Sequence, residues 1–283
     1  MLRNSQPVAL SDTASRRIAS LSSTPAMLPG SAARERVALD ELCLVYQPIH
    51  DVATGTMIAL EALARWRRDD IDVMSADAFI ALAERNGQIV ELGRRILRLV
   101  CRQMALWSGT RYGGLPVSIN ISPRQFQDPG FVNDVSDCLQ SYGVEPERLV
   151  IEVTEREPFA ESLYAASAIA ALRELGVKLV LDDFGSGYMN IATLLQHGID
   201  GIKLSLGIPW GGSPHADPRA WEVIRALGHM CERIGITLVV ERVETAAQWA
   251  LLQQLPGVRA QGYLLGKPMS ADSFPMFSEQ VVS

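Results

Sequence analysis

The chain has 283 residues, 48% of them apolar, enough to bury the core of one large α/β domain or two small ones. Its 26 Lys and Arg stand against 32 Asp and Glu, a net charge of −6 that excludes generic binding to a nucleic-acid backbone or an anionic membrane surface. Four scattered cysteines, Cys43, Cys101, Cys138 and Cys231, form no C-x-x-C, which argues for reduced thiols in a cytoplasmic protein and against a disulfide framework or a zinc site.

Residues 1–36 are rich in Ser, Ala, Thr and Pro, lack the continuous apolar stretch of a signal peptide, and read as a flexible leader ahead of one domain over 37–278. No apolar run reaches the ~18 residues of a membrane span. From there short apolar runs alternate with longer amphipathic segments. The runs are LCLVYQPI, MIALEALARW, PVSINIS, LVIEVTE, KLVLDDF, GIKLSL, ITLVVERV and RAQGYLL. The segments include DAFIALAERNGQIVELGRRILRLVCRQMALW, AASAIAALRELG, AWEVIRALGHMCERIG and AAQWALLQQL. Strands alternating with helices predict an α/β fold, a (β/α)8 TIM-like barrel, with a doubly wound open sheet as the alternative. The connection HDVATGT is far too short for a parallel crossover, so the first two strands form an antiparallel hairpin.

Side chains alternate along a strand, so parity identifies those that share a face. In VSINIS, Ser118, Asn120 and Ser122 oppose Val117, Ile119 and Ile121. Glu152 and Thr154 face together, with Glu155 at the exit; Lys203 and Ser205 share a face; Glu241 ends an apolar run, and Glu244 follows. Glu61 interrupts its run on the parity of Leu63 and Arg65. In LVLDDFGSGY, Asp182 and Asp183 stand where the apolar run stops. Adjacent like charges repel unless a cation separates them; the alternative is that one aspartate caps a following helix. Barrel strand ends converge on one rim, so Glu61, Asn120, Glu152, Asp182, Asp183 and Glu241 make a hard-oxygen site suited to Mg²⁺ or Mn²⁺. His50, His197, His215 and His229 are expected in loops or helices, which disfavours a triad or a histidine-zinc site. Asp183-Phe184-Gly185 spells a kinase triplet without the glycine-rich loop or H-R-D that a kinase needs.

These blocks together resemble the EAL-domain cyclic di-GMP phosphodiesterases of bacteria: YQPI at 46–49, EALARW at 61–66, INIS at 119–122, IEVTE at 151–155, DDFGSGY at 182–188, IK at 202–203, VERVE at 240–244 and QGYLLGKP at 261–268. The resemblance implies a barrel with an antiparallel first strand and hydrolysis of cyclic di-GMP to linear pGpG. It also implies two metal ions, one held by Glu61, Asn120, Glu152 and Asp182, the second by Asp182, Asp183 and Glu241. By the same resemblance Lys203 would polarise or deprotonate the attacking water, Glu155 and Glu244 would brace the loop from Gly185 to Tyr188, Gln261 would steady a metal-bound water, and Gln47, Leu63 and Arg65 would contact the dinucleotide. Three departures stand out. The family's K-x-D reads Lys203-Leu204-Ser205, its E-G-V-E reads Glu241-Arg242-Val243-Glu244, and its Y-S-S-L reads YMNI. The rival reading is a catalytically inactive member that binds the nucleotide or a protein partner and regulates signalling or expression. No sensory or cyclase segment fits the leader, so control is expected through abundance, partner binding or homodimer formation.

Overall fold

The computed structural model describes residues 36–154, 163–185, 191–206 and 218–276. Glu155, the loop residues Ser186 to Asn190, His215 and all but the last residue of the expected leader lie outside the described residues.

Strands β1 (Leu42–Asp51) and β2 (Met57–Arg68) form the antiparallel hairpin that the short connection requires, paired from Leu42↔Trp66 to His50↔Met57. Asp51 closes its turn by accepting bonds at 2.8 Å from both the amide and the hydroxyl of Thr54. Next comes β3 (Ile71–Met74), which pairs only with β2. Strands β4 (Val117–Asn120), β5 (Leu149–Thr154), β6 (Lys178–Asp182), β7 (Gly201–Ser205), β8 (Thr237–Glu241) and β9 (Val258–Ala260) continue from β2 in parallel register. The sheet closes where β9 meets β1 antiparallel through His50↔Ala260 and Asp51↔Arg259. The result is an eight-stranded closed barrel with β3 appended. Beyond β9 the chain returns to β1, where Tyr46 and Met269 exchange backbone hydrogen bonds of 2.7 and 3.0 Å.

The expected long amphipathic segment is two helices, α1 (Ala76–Arg85) and α2 (Ile89–Trp107). Gly87, at φ 77°, breaks them apart, and the Asn86 side chain accepts from the Gln88 amide at 3.0 Å. Helix α3 (Phe131–Tyr142), ended by Gly143 at φ 62°, was not singled out in the sequence; α4 (Leu163–Leu175) was, and α5 (Ile191–His197) was not. Helices α6 (Pro218–Ile234) and α7 (Ala246–Leu252) follow, the latter started by a reciprocal Thr245–Gln248 capping box.

Three expectations need correction. RAQGYLL is strand only through Ala260, because Gln261 and Gly262 turn out to meet the β8 exit. Ser122 lies beyond the end of β4 and shares no strand face with Asn120. His50 is in β1 and buried, not in a loop or helix, but its parity is opposite to that of Gln47.

Apolar side chains fall into two compartments. The larger, from Leu60, Val100, Ile119, Ile151, Leu172, Ile202, Ile224 and their neighbours, fills the layer between barrel and helices. The smaller is Ile49, Ala59 and Val239, each two residues below Gln47, Glu61 and Glu241 on the same face of its strand.

Candidate active site

Side chains from β1, β2, β4, β5, β7 and β8 meet at one point, as inward-facing residues of a closed sheet do. The Lys203 ammonium on β7 is almost wholly buried and lies 3.1 Å from Glu61, 2.9 Å from Glu152 and 2.7 Å from Glu241. Glu61 is satisfied on both oxygens. Its Oε1 accepts from Asn120 at 2.8 Å; its Oε2 accepts from Lys203 and, at 2.7 Å, from Gln261. The Gln261 amide also donates to Gln47 Oε1 at 3.1 Å, and Gln47 donates in turn to the Gly266 carbonyl at 3.1 Å. Five strands and the turn after β9 are thereby tied to one carboxylate.

The adjacent aspartates need a separate explanation, since in an extended strand they would face opposite ways. Asp183 adopts φ 55°, a left-handed conformation that aspartate tolerates better than most residues. That bend ends β6. It brings carboxylate oxygens of Asp182, Asp183 and Glu241 within 4.8 Å of one another, a group able to hold a metal ion. The Asp182 side chain accepts from the Asp183 amide at 2.8 Å, and the Phe184 amide donates to the Lys203 carbonyl at 2.9 Å, pinning the bend to β7.

Five carboxylates against one ammonium set the electrostatics. Burial opposes ionisation of Glu61, but Lys203 and the bonds from Gln261 and Asn120 outweigh it and hold its pKa below the ordinary value. Burial wins at Glu152, helped by Glu61 and Asp182 against Lys203, and its pKa lies well above normal. Asp182 is raised for the same reason, and Glu241 is pushed up to about 7 by burial and by the neighbouring Asp182 and Glu61. Burial disfavours the charge of Lys203, yet Glu152, Glu241 and Glu61 keep it protonated far above its usual range. Such a surplus of buried negative charge fits divalent cations, which hard oxygen donors bind best. The Gln261 Oε1, buried and without a partner among the described residues, is a spare acceptor on a side chain whose amide already donates to Glu61.

Other expected site residues lie further out. Leu63 and Arg65 are half-buried on the β2 face above Glu61, with Arg65 Nη1 donating to the Ala64 carbonyl at 2.8 Å. The amide of Gln47 is engaged at both ends, so a contact with ligand would require it to release Gly266 or Gln261. The Glu244 side chain is exposed, and its backbone amide is held at 2.8 Å by Gln248. Ser205 is buried next to Glu241 on the neighbouring strand, and its hydroxyl has no partner among the described residues. Arg242, where the family pattern has glycine, adopts a glycine-like φ of 59°, and it is exposed.

Sequence reasoning did not register the role of Gly262. A Cβ there would lie 2.1 Å from the Val243 carbonyl oxygen, so only glycine lets the turn after β9 press on the β8 exit and present Gln261. The glycine in QGYLLGKP was the visible signal; its close approach was not.

The EAL domain family matches residues 31–268. The bifunctional diguanylate cyclase/cyclic di-GMP phosphodiesterase MucR of Pseudomonas aeruginosa is 32% identical over 239 residues, 84% of this chain and 35% of that protein. The probable cyclic di-GMP phosphodiesterase PdeG of Escherichia coli is 32% identical over 86% of this chain and 47% of its own length. The chain thus spans less than half the length of these relatives. Among solved structures, the PaMucR phosphodiesterase in complex with c-di-GMP superposes with TM-score 0.75 at 32% identity, covering 83% of this chain and 94% of the other. A calcium and cyclic di-GMP complex of BlrP1 from Klebsiella pneumoniae superposes with TM-score 0.69 at 26% identity, covering 83% and 57%. With its barrel, its antiparallel first strand and its ring of acidic strand ends, the chain is a member of the EAL-domain family.

Proposed function

We propose that the chain is a metal-dependent phosphodiesterase that opens cyclic di-GMP to linear pGpG and so lowers this second messenger. The observation that carries the reading is one buried ammonium, Lys203, shared by Glu61, Glu152 and Glu241 beside the Asp182–Asp183–Glu241 oxygen cluster. Two Mg²⁺ or Mn²⁺ ions, when bound, would supply water activation and neutralise phosphoryl charge. Glu61, Asn120, Glu152 and Asp182 would hold one, and Asp182, Asp183 and Glu241 the other. Lys203, kept charged by its carboxylates, suits polarising the attacking water better than removing its proton. Gln261 Oε1 can accept from that water, while Glu155 and Glu244 brace the loop that starts at Gly185. Gln47, Leu63 and Arg65 meet the dinucleotide. None of the described helices is long and apolar enough to cross a membrane; a cytoplasmic location and a homodimer belong to this proposal.

The test is incubation of purified protein with cyclic di-GMP and Mg²⁺ or Mn²⁺, with products resolved by chromatography. Linear pGpG should form and stop on chelation; none after hours at saturating enzyme overturns the catalytic reading. The second reading, a nucleotide-binding regulator without turnover, is favoured by the orphan Ser205 hydroxyl where the family carries an acid. Binding without hydrolysis under every metal would establish it. In a weak enzyme, by contrast, Ser205→Asp raises turnover.

A further inference from the structure

Two adjacent arginines near the exit of β2 are held in different ways. Trp66 and Arg68 turn to one side of the strand, where Glu41 accepts from the Trp66 indole at 2.8 Å and from Arg68 Nε and Nη2 at 2.8 Å each. Alternation then places Arg67 on the opposite face, the one that carries Glu61, Leu63 and Arg65. Its Nε donates at 2.7 Å to Asp72, its cross-strand partner on β3, and among the described residues no other hydrogen bond engages it. Both terminal amino groups of the Arg67 guanidinium are therefore left to donate, on a side chain only 34% exposed.

We propose that Arg67, fixed by Asp72, reads the guanine base most remote from the cleaved phosphodiester and so selects guanine over adenine cyclic dinucleotides. The inference rests on the reading of the barrel mouth as a cyclic di-GMP site. Arg67 stands two residues, about 7 Å, beyond Arg65 along the same strand face. A dinucleotide with one phosphate at the acidic cluster and its next portion against Leu63 and Arg65 runs toward it.

The chemistry of the pair favours a base over a second phosphate. Asp72 offsets the charge of Arg67, which weakens its pull on an anion but leaves its donors in place. A neutral ligand with two adjacent acceptors fits them. Guanine presents such acceptors, O6 and N7, in the spacing of a guanidinium fork; adenine carries an amino group in place of O6, so that donor would face donor. By engaging Nε, Asp72 also limits the orientations of the fork before the base arrives, which lowers the ordering cost of binding. Arg68, gripped on two nitrogens by Glu41, has no such freedom to serve a ligand.

The test measures binding of cyclic di-GMP and of cyclic di-AMP to the full chain by calorimetry in Ca²⁺, alongside hydrolysis of each in Mg²⁺. Arg67→Met should weaken cyclic di-GMP about tenfold while cyclic di-AMP does not weaken, so the preference for guanine falls by that factor. Arg67→Lys keeps a cation for Asp72 but lacks the fork, and should lose the preference as well; it decides the matter if the methionine variant folds poorly. Asp72→Ala should shift the preference in the same direction by less. The inference is overturned if either Arg67 variant binds both nucleotides in the wild-type ratio, or loses only thermal stability, as a pair that merely fastens β3 would. Loss of the preference in a wild-type background that binds without hydrolysing supports the inference while removing the catalytic reading; a wild-type chain that binds neither nucleotide overturns both.

Discussion

The space inside the barrel and the layer around it are built on opposite principles. Around it, apolar side chains from eight strands and the helices pack without charge, and each fully buried Leu or Ile contributes about 1.5–3 kcal/mol. Inside, among the described residues, Ile49, Ala59 and Val239 form an apolar floor, and above it carboxylates crowd one ammonium. The outer layer holds the fold together, so the inner one can carry charge that works against it.

Removing the ammonium tests this contrast most severely. Lys203→Met leaves Glu61, Glu152 and Glu241 buried without a counter-ion, and should cost about 3–5 kcal/mol in urea unfolding as well as all turnover. A loss below about 1 kcal/mol would mean that the inner charges are already neutral. In the outer layer, Leu172→Ala on α4 should cost about 2–5 kcal/mol through a cavity, with the metal affinity of the folded protein unchanged.

The pH dependence follows from Glu241. Its folded pKa of about 7 exceeds the ordinary 4.5, so the folded state binds the proton more tightly than the unfolded one. Stability of the metal-free protein should therefore fall as pH rises from about 4.5 to about 7, by roughly 3 kcal/mol from this group alone. Raised pKa values at Glu152 and Asp182 act in the same direction; Glu61, lowered, acts against it. Thermal melts across that range, with and without Mg²⁺, would show whether added cation flattens the slope. Asp182→Asn should sharpen the comparison by splitting function from stability. Turnover should drop at least ~10²-fold, while the metal-free fold gains about 1 kcal/mol from lost repulsion. The smallest effect belongs to Arg242→Gly, which removes a left-handed strain worth about 1 kcal/mol, offset in part by the freer unfolded chain.

The barrel was legible because its polar inner face interrupts apolar runs at fixed parity, and the reversed β1 because HDVATGT has no room for a crossover. The carboxylates were legible one strand at a time. Strand β3 was not: in RRDDIDVM four charges precede a four-residue strand that Asp72 interrupts, and its hairpin rests on Asp69 and Asp70 at φ 51° and 62°, positions where aspartate is an unremarked substitute for glycine. The break at Gly87 was hidden because helical periodicity resumes in phase on either side. Nor could periodicity reveal the Gly266–Gln47–Gln261–Glu61 relay, whose bonds join residues 200 or more positions apart.

The closure of the barrel has a kinetic consequence. Along β1, the backbone of Tyr46 bonds to Met269, so residues of that parity point their amides toward the β9 side. Pro48 shares the parity and has no amide to offer, and below it β1 and β9 pair only at His50↔Ala260 and Asp51↔Arg259. This seam joins the first strand to the last, the most distant partners in the sheet, through two paired positions, as few as join β6 to β7. Its closure spans the longest stretch of chain of any pairing in the sheet and so carries the largest loop-closure cost, and it should form late in folding. It is also the line along which the barrel should first admit deuterium in hydrogen exchange, ahead of the β5–β6 and β7–β8 ladders opposite.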